Sequence, residues 1–298
     1  MADTNELDRV LADLQRTTGL RIKVDTASTD EIEQAVTRLK QLTHAYKEKY
    51  NTNYFLQKLL LGEIASSELH SRAKKMHLKL EEKKALFVLE TKSTYEEFVP
   101  EILKQLFPSI SGNYILAMDT HTICILVGNL GEDETTQTAH MIVDTLSAEA
   151  MTAVHLTYAK ELMTLDFISD AYREAALTLQ IAKLFYPEKV ILPSNELGIG
   201  RLICTLPTNL CEEFLSEIFA GQLPTQFDEE LTATINTFFQ TNLNIAETSR
   251  QLHVHRNTLI YRLEQLEKNT GLDIRKFEDA MTFKIATMVM NYLQAQKE

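Results

Sequence analysis

From the N-terminus to residue 80, apolar residues recur at steps of three and four, the spacing of one face of an α-helix. Ile32, Val36, Leu39, Thr43, Tyr46 and Tyr50 alternate those steps over about three heptads, with polar Thr43 a weak point in the seam. Ser28-Thr29-Asp30-Glu31 just before it reads as a capping box. Such a stripe serves either a surface helix packed on its own domain or a coiled-coil contact with a second copy. Residues 54–62 (YFLQKLLLG) carry the helical pattern on to a stop at Gly62.

Beyond residue 80 the period changes. Ala85–Glu90 (ALFVLE) predicts a buried strand, and Tyr95–Phe107 a helix stopped before Pro108. Asn113–Val127 predicts two strands around a hairpin turn at Asp119-Thr120-His121. A helix over Glu132–Ala148, a strand over Thr152–Tyr158, a long helix over Leu165–Phe185 and a short strand over Lys189–Leu192 follow. This β-α-β-β-α-β order predicts a mixed sheet covered by helices. The expected fold class is α+β, divided into N-terminal helices (1–80), a central mixed α/β domain (81–222) and an all-α C-terminal domain (223–298).

Residues 244–268, NIAETSRQLHVHRNTLIYRLEQLEK, carry the sharpest pattern: two short amphipathic stretches sharing one apolar underside, as in a helix-turn-helix. Asn244 is placed as an N-cap, with Glu247 positioned to complete a capping box. Ile245, Leu252, Val254, Leu259, Leu263 and Leu266 supply the buried side, and Ser249 is small where the helices approach. In the tight turn Leu252-His253-Val254, His253 stands where a left-handed backbone often takes glycine. The second helix opens with His255-Arg256-Asn257-Thr258. Because Leu259, Leu263 and Leu266 turn inward, Arg256, Asn257, Tyr261 and Arg262 are expected to face solvent, with Thr258 near the edge. Arg can fork onto guanine and Asn onto adenine in the major groove, while Thr, Tyr and a helix N-terminus serve phosphates. A helix pair that merely packs would share the apolar pattern but not this run of groove-competent side chains. A last helix is expected over Phe277–Leu293, its positions 277, 281, 285, 288 and 292 packing under the motif or against a partner chain.

Composition adds constraints. Apolar residues make up 44% and charged residues 24% of the 298, the balance of a globular chain, and nine Gly and six Pro favour regular elements over loops. MADTNELDRV lacks the basic and apolar regions of a leader, and no run approaches the roughly 18 apolar residues of a membrane span. A cytoplasmic location is the expectation. Cys124, Cys204 and Cys211 lack C-x-x-C spacing and read as reduced structural thiols, with no metal site expected. The net charge of −12 opposes nucleic-acid binding, and even residues 228–298 hold eight Lys/Arg against ten Asp/Glu. Within 244–263, however, Arg250, Arg256 and Arg262 face only Glu247. Affinity would then rest on a few placed contacts, which a homodimer would double.

The run HVHRNTLIYRLEQLEKNTGLDIR resembles the C-terminal helix-turn-helix of the PucR/CdaR family of bacterial transcriptional regulators and, more loosely, the DNA-binding end of Fis-type proteins. The resemblance implies that Arg256, Asn257, Thr258, Tyr261 and Arg262 are recognition-helix positions, with His255 the opening residue. In Thr270-Gly271-Leu272-Asp273, Gly271 is expected to end that helix. The helix containing Ala171-Tyr172-Arg173-Glu174-Ala175 and the following VILPSNELGIGRLI segment are similar to that family's central GGDEF-like domain, which implies a nucleotide-cyclase fold. The likeness runs from residue 53 to the C-terminus, and residues 54–62 are similar to the family's connector. Larger members carry a full sensor domain before that connector, where this chain has some 50 residues.

The likeness departs from an active cyclase at the hairpin. Ala117-Met118-Asp119-Thr120-His121-Thr122 has neither the glycines for close phosphate approach nor paired carboxylates for Mg²⁺. The chain has no G-x-S-x-G, P-loop or H-E-x-x-H, Gly198-Ile199-Gly200-Arg201 reads as a turn, and His253 and His255 do not share a helical face. No catalytic residue and no cofactor are expected. The reading is a sequence-specific regulator of a bacterial metabolic operon that binds double-stranded DNA as a homodimer, with a small-molecule effector left open. The alternatives are a nucleotide-binding or residual cyclase-type signalling protein with an attached helix-turn-helix, and an interaction protein. The outward Arg256, Asn257 and Arg262, with no apolar anchors beyond Ile260 and Tyr261, argue against the last.

Overall fold

The computed structural model describes residues 4–24, 29–92, 98–109, 112–219 and 228–296. It forms two compact units, Met1–Gln180 with Glu188–Glu196 and Ile181–Pro187 with Leu197–Glu298.

In the first unit, α1 (Thr4–Thr18) packs along α2 (Thr29–Tyr50). The seam expected on α2 is real, and its partner is α1: Val36 and Leu39 close on Leu7, Val10 and Leu14. Thr43 is buried there and returns its hydroxyl to the Leu39 carbonyl at 2.8 Å. Ion pairs Lys40–Glu6 (2.7 Å) and Lys47–Asp13 (3.0 Å) flank the pair. A two-copy coiled coil through Val36 and Leu39 is thereby excluded while α1 stays docked. The capping box at 28–31 includes Ser28, outside the described residues. The next helix, α3 (Thr52–Leu60), does not continue α2, because Asn51 interrupts the chain and caps α3 by accepting from the Tyr54 N–H at 3.0 Å. Gly62, at φ 75°, ends the segment as expected, and α4 (Ser66–Lys75) follows.

A five-stranded sheet then forms in the order β2-β3-β1-β4-β5. Its strands are β1 (Lys84–Thr91), β2 (Tyr114–Ala117), β3 (Thr122–Gly128), β4 (Val154–Tyr158) and β5 (Ile191–Pro193). All neighbouring pairs are antiparallel except β4–β5. β1 is central and covered on both faces, which is why ALFVLE shows no polar alternation. Ala85, Phe87 and Leu89 face α5 (Phe98–Leu106) and α6 (Thr135–Glu149). Leu86 and Val88 face α3, α4 and α7 (Ile168–Phe185). The expected hairpin, sheet and crossover helices are all present, and with the helical C-terminal unit they make the chain α+β.

The second unit is helical: α8 (Ile199–Cys204), α9 (Thr208–Ile218), α10 (Glu229–Gln240), α11 (Ile245–Gln251), α12 (Arg256–Thr270) and α13 (Phe277–Ala295). The GIG run enters α8, where Gly200 is required. A Cβ there would lie 2.8 Å from Ile181 and 3.0 Å from Phe185, on the final turns of α7. Ile235 and Phe238 of α10, Leu259, Leu263 and Leu266 of α12, and Ala280 and Phe283 of α13 make one core. α13 departs from expectation in part. Of the expected positions Met288 is buried, together with Ala280, Phe283, Ala286 and Val289, whereas Phe277 is 70% exposed and Met281 is also open. Its apolar residues extend around most of the helix, so spacing alone selects no single face.

Candidate nucleic-acid interface

α10 positions the motif. It starts on Asp228, whose carboxylate accepts from the Leu231 N–H at 2.6 Å, with Glu229 and Glu230 in the first turn where the helix dipole favours them. Asn242 and Leu243 both adopt left-handed backbone (φ 54° and 62°) and turn the chain into α11. Asn244 caps α11 as expected, its side-chain oxygen accepting from Ala246 N–H (3.0 Å) and Glu247 N–H (3.1 Å). Glu247 does not complete the box. The Asn244 N–H is already taken by the Thr241 carbonyl, and Glu247 instead pairs with Arg250 at 3.0 Å.

α10 and α11 approach each other through Thr248. Thr248 is buried, and its hydroxyl bonds the Thr241 hydroxyl (2.6 Å) and the Asn244 carbonyl (2.7 Å). His253 takes the left-handed conformation predicted for the turn (φ 53°). His255 is the N-cap of α12. Its Nδ1 accepts from the Asn257 N–H at 3.2 Å, so the neutral ring carries its proton on Nε2. Gly271 ends α12 at φ 75°, with its N–H on the Glu267 carbonyl at 2.7 Å.

Beyond this stop lies a clamp the sequence reading missed. Arg275 pairs with Asp273 and with Glu267 (2.7 Å), fixing the α12–α13 turn. The Arg275 hydrogen bond holds the Asp273 carboxyl below the usual range, against the opposing effect of burial. An acidic residue followed two positions later by arginine, just after a helix-ending glycine, is the available signal.

Leu259, Leu263 and Leu266 hold α12 against the core. Its first turn remains open: His255, Arg256, Asn257 and Thr258 are exposed, and Tyr261 is 61% exposed. Arg256 meets no carboxylate among the described residues. Arg262 does not face solvent as expected. Its side chain is 17% exposed, and it donates to Glu230 and to the Thr234 hydroxyl (3.1 Å), both on α10. The reason is geometric. Three residues after Leu259 and one before Leu263, Arg262 lies on the flank of the apolar stripe, against the helix that covers it.

In the first unit, the hairpin between β2 and β3 is a tight turn. The Asp119 carboxylate accepts from the N–H groups of His121 and Thr122, each at 2.7 Å. Desolvation raises its pKa, yet these bonds outweigh it and hold the carboxyl below its ordinary value. Its geometry is that of a turn former.

A mixed sheet covered on both faces, followed by a capped helix-turn-helix, defines a class of two-part helix-turn-helix proteins. Residues 231–289 match the PucR C-terminal helix-turn-helix domain, and residues 61–181 match the GGDEF-like domain. The chain thus combines a PucR-type helix-turn-helix domain with a GGDEF-like domain, and it is similar to regulators of the PucR/CdaR type. It is 30% identical over 120 residues to the purine catabolism regulatory protein of Bacillus subtilis, a stretch covering 40% of this chain and 23% of that one. It is 29% identical over 119 residues to the carbohydrate diacid regulator of Escherichia coli, covering 40% and 31%. The matches thus span about a quarter to a third of these relatives. The regulator of polyketide synthase expression from Bifidobacterium adolescentis is 18% identical over 86% of this chain and 95% of that one; its TM-score of 0.38 is too low to speak for a shared arrangement.

Proposed function

We propose that the chain is a transcriptional regulator that binds double-stranded DNA sequence-specifically through the first turns of α12. Arg256 and Asn257 read base edges, while Thr258, Tyr261 and the outward Nε2–H of His255 engage the backbone. One observation carries this: a rigidly capped and packed helix presents Arg256, Asn257 and Thr258 to solvent with no intramolecular partner for their side chains among the described residues. Groups positioned so and left unspent suit an external ligand with both donors and acceptors. Arg262 braces α12 and is not among the contacts.

The GGDEF-like domain transmits signals in this reading and catalyses nothing, since Asp119 is committed to its turn. The active form is a cytoplasmic homodimer on a two-fold site with half-sites one or more helical turns apart. Selection of bound DNA from a random pool by the full chain tests the function. A recovered two-fold consensus supports it, and recovery of unenriched sequence refutes it.

A further inference from the structure

At the foot of the helix-turn-helix, α10, α13 and the start of α8 surround an open cavity of about 400 Å³. That volume is at the small end of the range for small-ligand sites. Its walls are apolar, with Phe239, Leu243, Phe277, Met281 and Ile285 prominent, and its two polar side chains are Asn242 and Lys284. The Lys284 ammonium lies 5.4 Å from the Phe239 ring centroid and meets no carboxylate among the described residues. The Asn242 side-chain amide has no partner among them either. Asn242 and Leu243 also hold the left-handed backbone that leads into the Asn244 cap.

An apolar chamber with one uncompensated cation on its wall fits one kind of ligand. The body fills the chamber, and a single carboxylate meets Lys284 and the Asn242 amide. A cationic ligand would face Lys284, and a dianion would carry a second charge that the lining does not answer. A second copy inserting an apolar side chain would leave Lys284 without counter-charge. We propose that this cavity binds a small aryl or alkyl monocarboxylate, and that occupancy is coupled to the helix-turn-helix through the Asn242–Leu243 joint. Ligand capture stands apart from the DNA reading, and only the coupling rests on it.

Phenylpropionate, phenylpropanol and phenylpropylamine share one body and differ in charge. They are titrated into the full chain labelled at methionine methyls, with Met281 and Met288 assigned through Met281→Leu and Met288→Leu. The expected result is that phenylpropionate shifts both resonances and binds about tenfold tighter than the alcohol, with the amine weakest. Lys284→Met should bring the acid to the alcohol's level without changing the alcohol. The site is overturned by an absence of shifts up to millimolar probe, or by an acid preference that survives Lys284→Met. It is equally overturned if no probe binds while Phe277→Asp converts a dimer to a monomer, which assigns the groove to a second copy. For the coupling, DNA affinity must change with saturating phenylpropionate by the same factor as probe affinity changes with DNA. An unchanged DNA affinity overturns the coupling.

Discussion

Replacing Arg262 by Ala separates a brace from a DNA contact. Glu230 is 72% exposed at its side chain, so the ion pair with Arg262 is largely screened and contributes about 0.5–1 kcal/mol. The 3.1 Å bond to Thr234 adds about 1 kcal/mol at most. Thr234 is buried, but its hydroxyl still donates to the Glu230 carbonyl at 2.8 Å, so the substitution leaves it with a partner. The expected cost is therefore about 0.5–2 kcal/mol of local stability, short of unfolding the unit. Hydrogen exchange of the full chain reads this directly as faster exchange in α10 and the middle of α12, with the sheet unchanged. A double-mutant cycle with Glu230→Gln should return a coupling of about 0.5–1 kcal/mol. In DNA binding, Arg262→Ala should weaken all sequences alike without altering the slope of log affinity against log salt. A lost phosphate contact would instead reduce that slope by about 0.9. A reduced slope with unchanged exchange would refute the brace and restore Arg262 to the interface.

Arg256→Ala and Asn257→Ala should each cost about 1–3 kcal/mol in specific binding with native circular dichroism, and unchanged binding in both would remove the recognition assignment. Sedimentation of the full chain at micromolar concentration should give a dimer; a monomer with a single half-site footprint contradicts it. Because the Asp273 pKa is lowered in the fold by its Arg275 bond, its contribution is complete above the unfolded carboxyl value of about 3.9 and is lost as pH falls through the folded value. Asp273→Asn should flatten that part of the acid limb of an unfolding titration, and an identical limb in both proteins would disprove the clamp. Asp119→Asn should leave DNA binding intact, with no cyclic dinucleotide made from GTP by either protein; product formed by the parent and abolished in the variant would favour the enzyme reading.

What the sequence made legible was whatever depends on local rules. The strands announced themselves through short apolar runs between turn residues, and Gly271 and His253 through backbone conformations few residues adopt. Partner choice was less readable. The α2 seam fits α1 or a second copy equally well on paper, because a heptad stripe specifies a face and not what covers it. α13 is apolar on too many sides for its spacing to pick Phe283 over Met281. α9, entered from Pro207, had no assigned pattern. Arg262 was misplaced because its neighbour Glu230 lies 32 residues away, a proximity only the fold creates.

The acidic balance of the chain looks different once its ion pairs are placed. On the C-terminal helices Glu230 is engaged by Arg262, Glu247 by Arg250, and Glu264, Glu267 and Asp273 by Arg275. With Lys276 also on Asp273, four cations meet these five acids and leave one net negative charge among them, while Arg256, at the positive end of the α12 dipole, keeps its charge for an outside ligand. Long-range attraction to DNA must still be weak, because the net charge of −12 repels a polyanion and salt at physiological strength screens fields beyond about 8 Å, so only groups at the contact itself act. Discrimination then outweighs general stickiness. Non-specific sites offer only phosphates to a surface short of cations, whereas the right sequence adds the base contacts of Arg256 and Asn257. The same arithmetic makes a second copy valuable, since doubling a small set of placed contacts raises affinity without adding the positive charge that would bind any DNA.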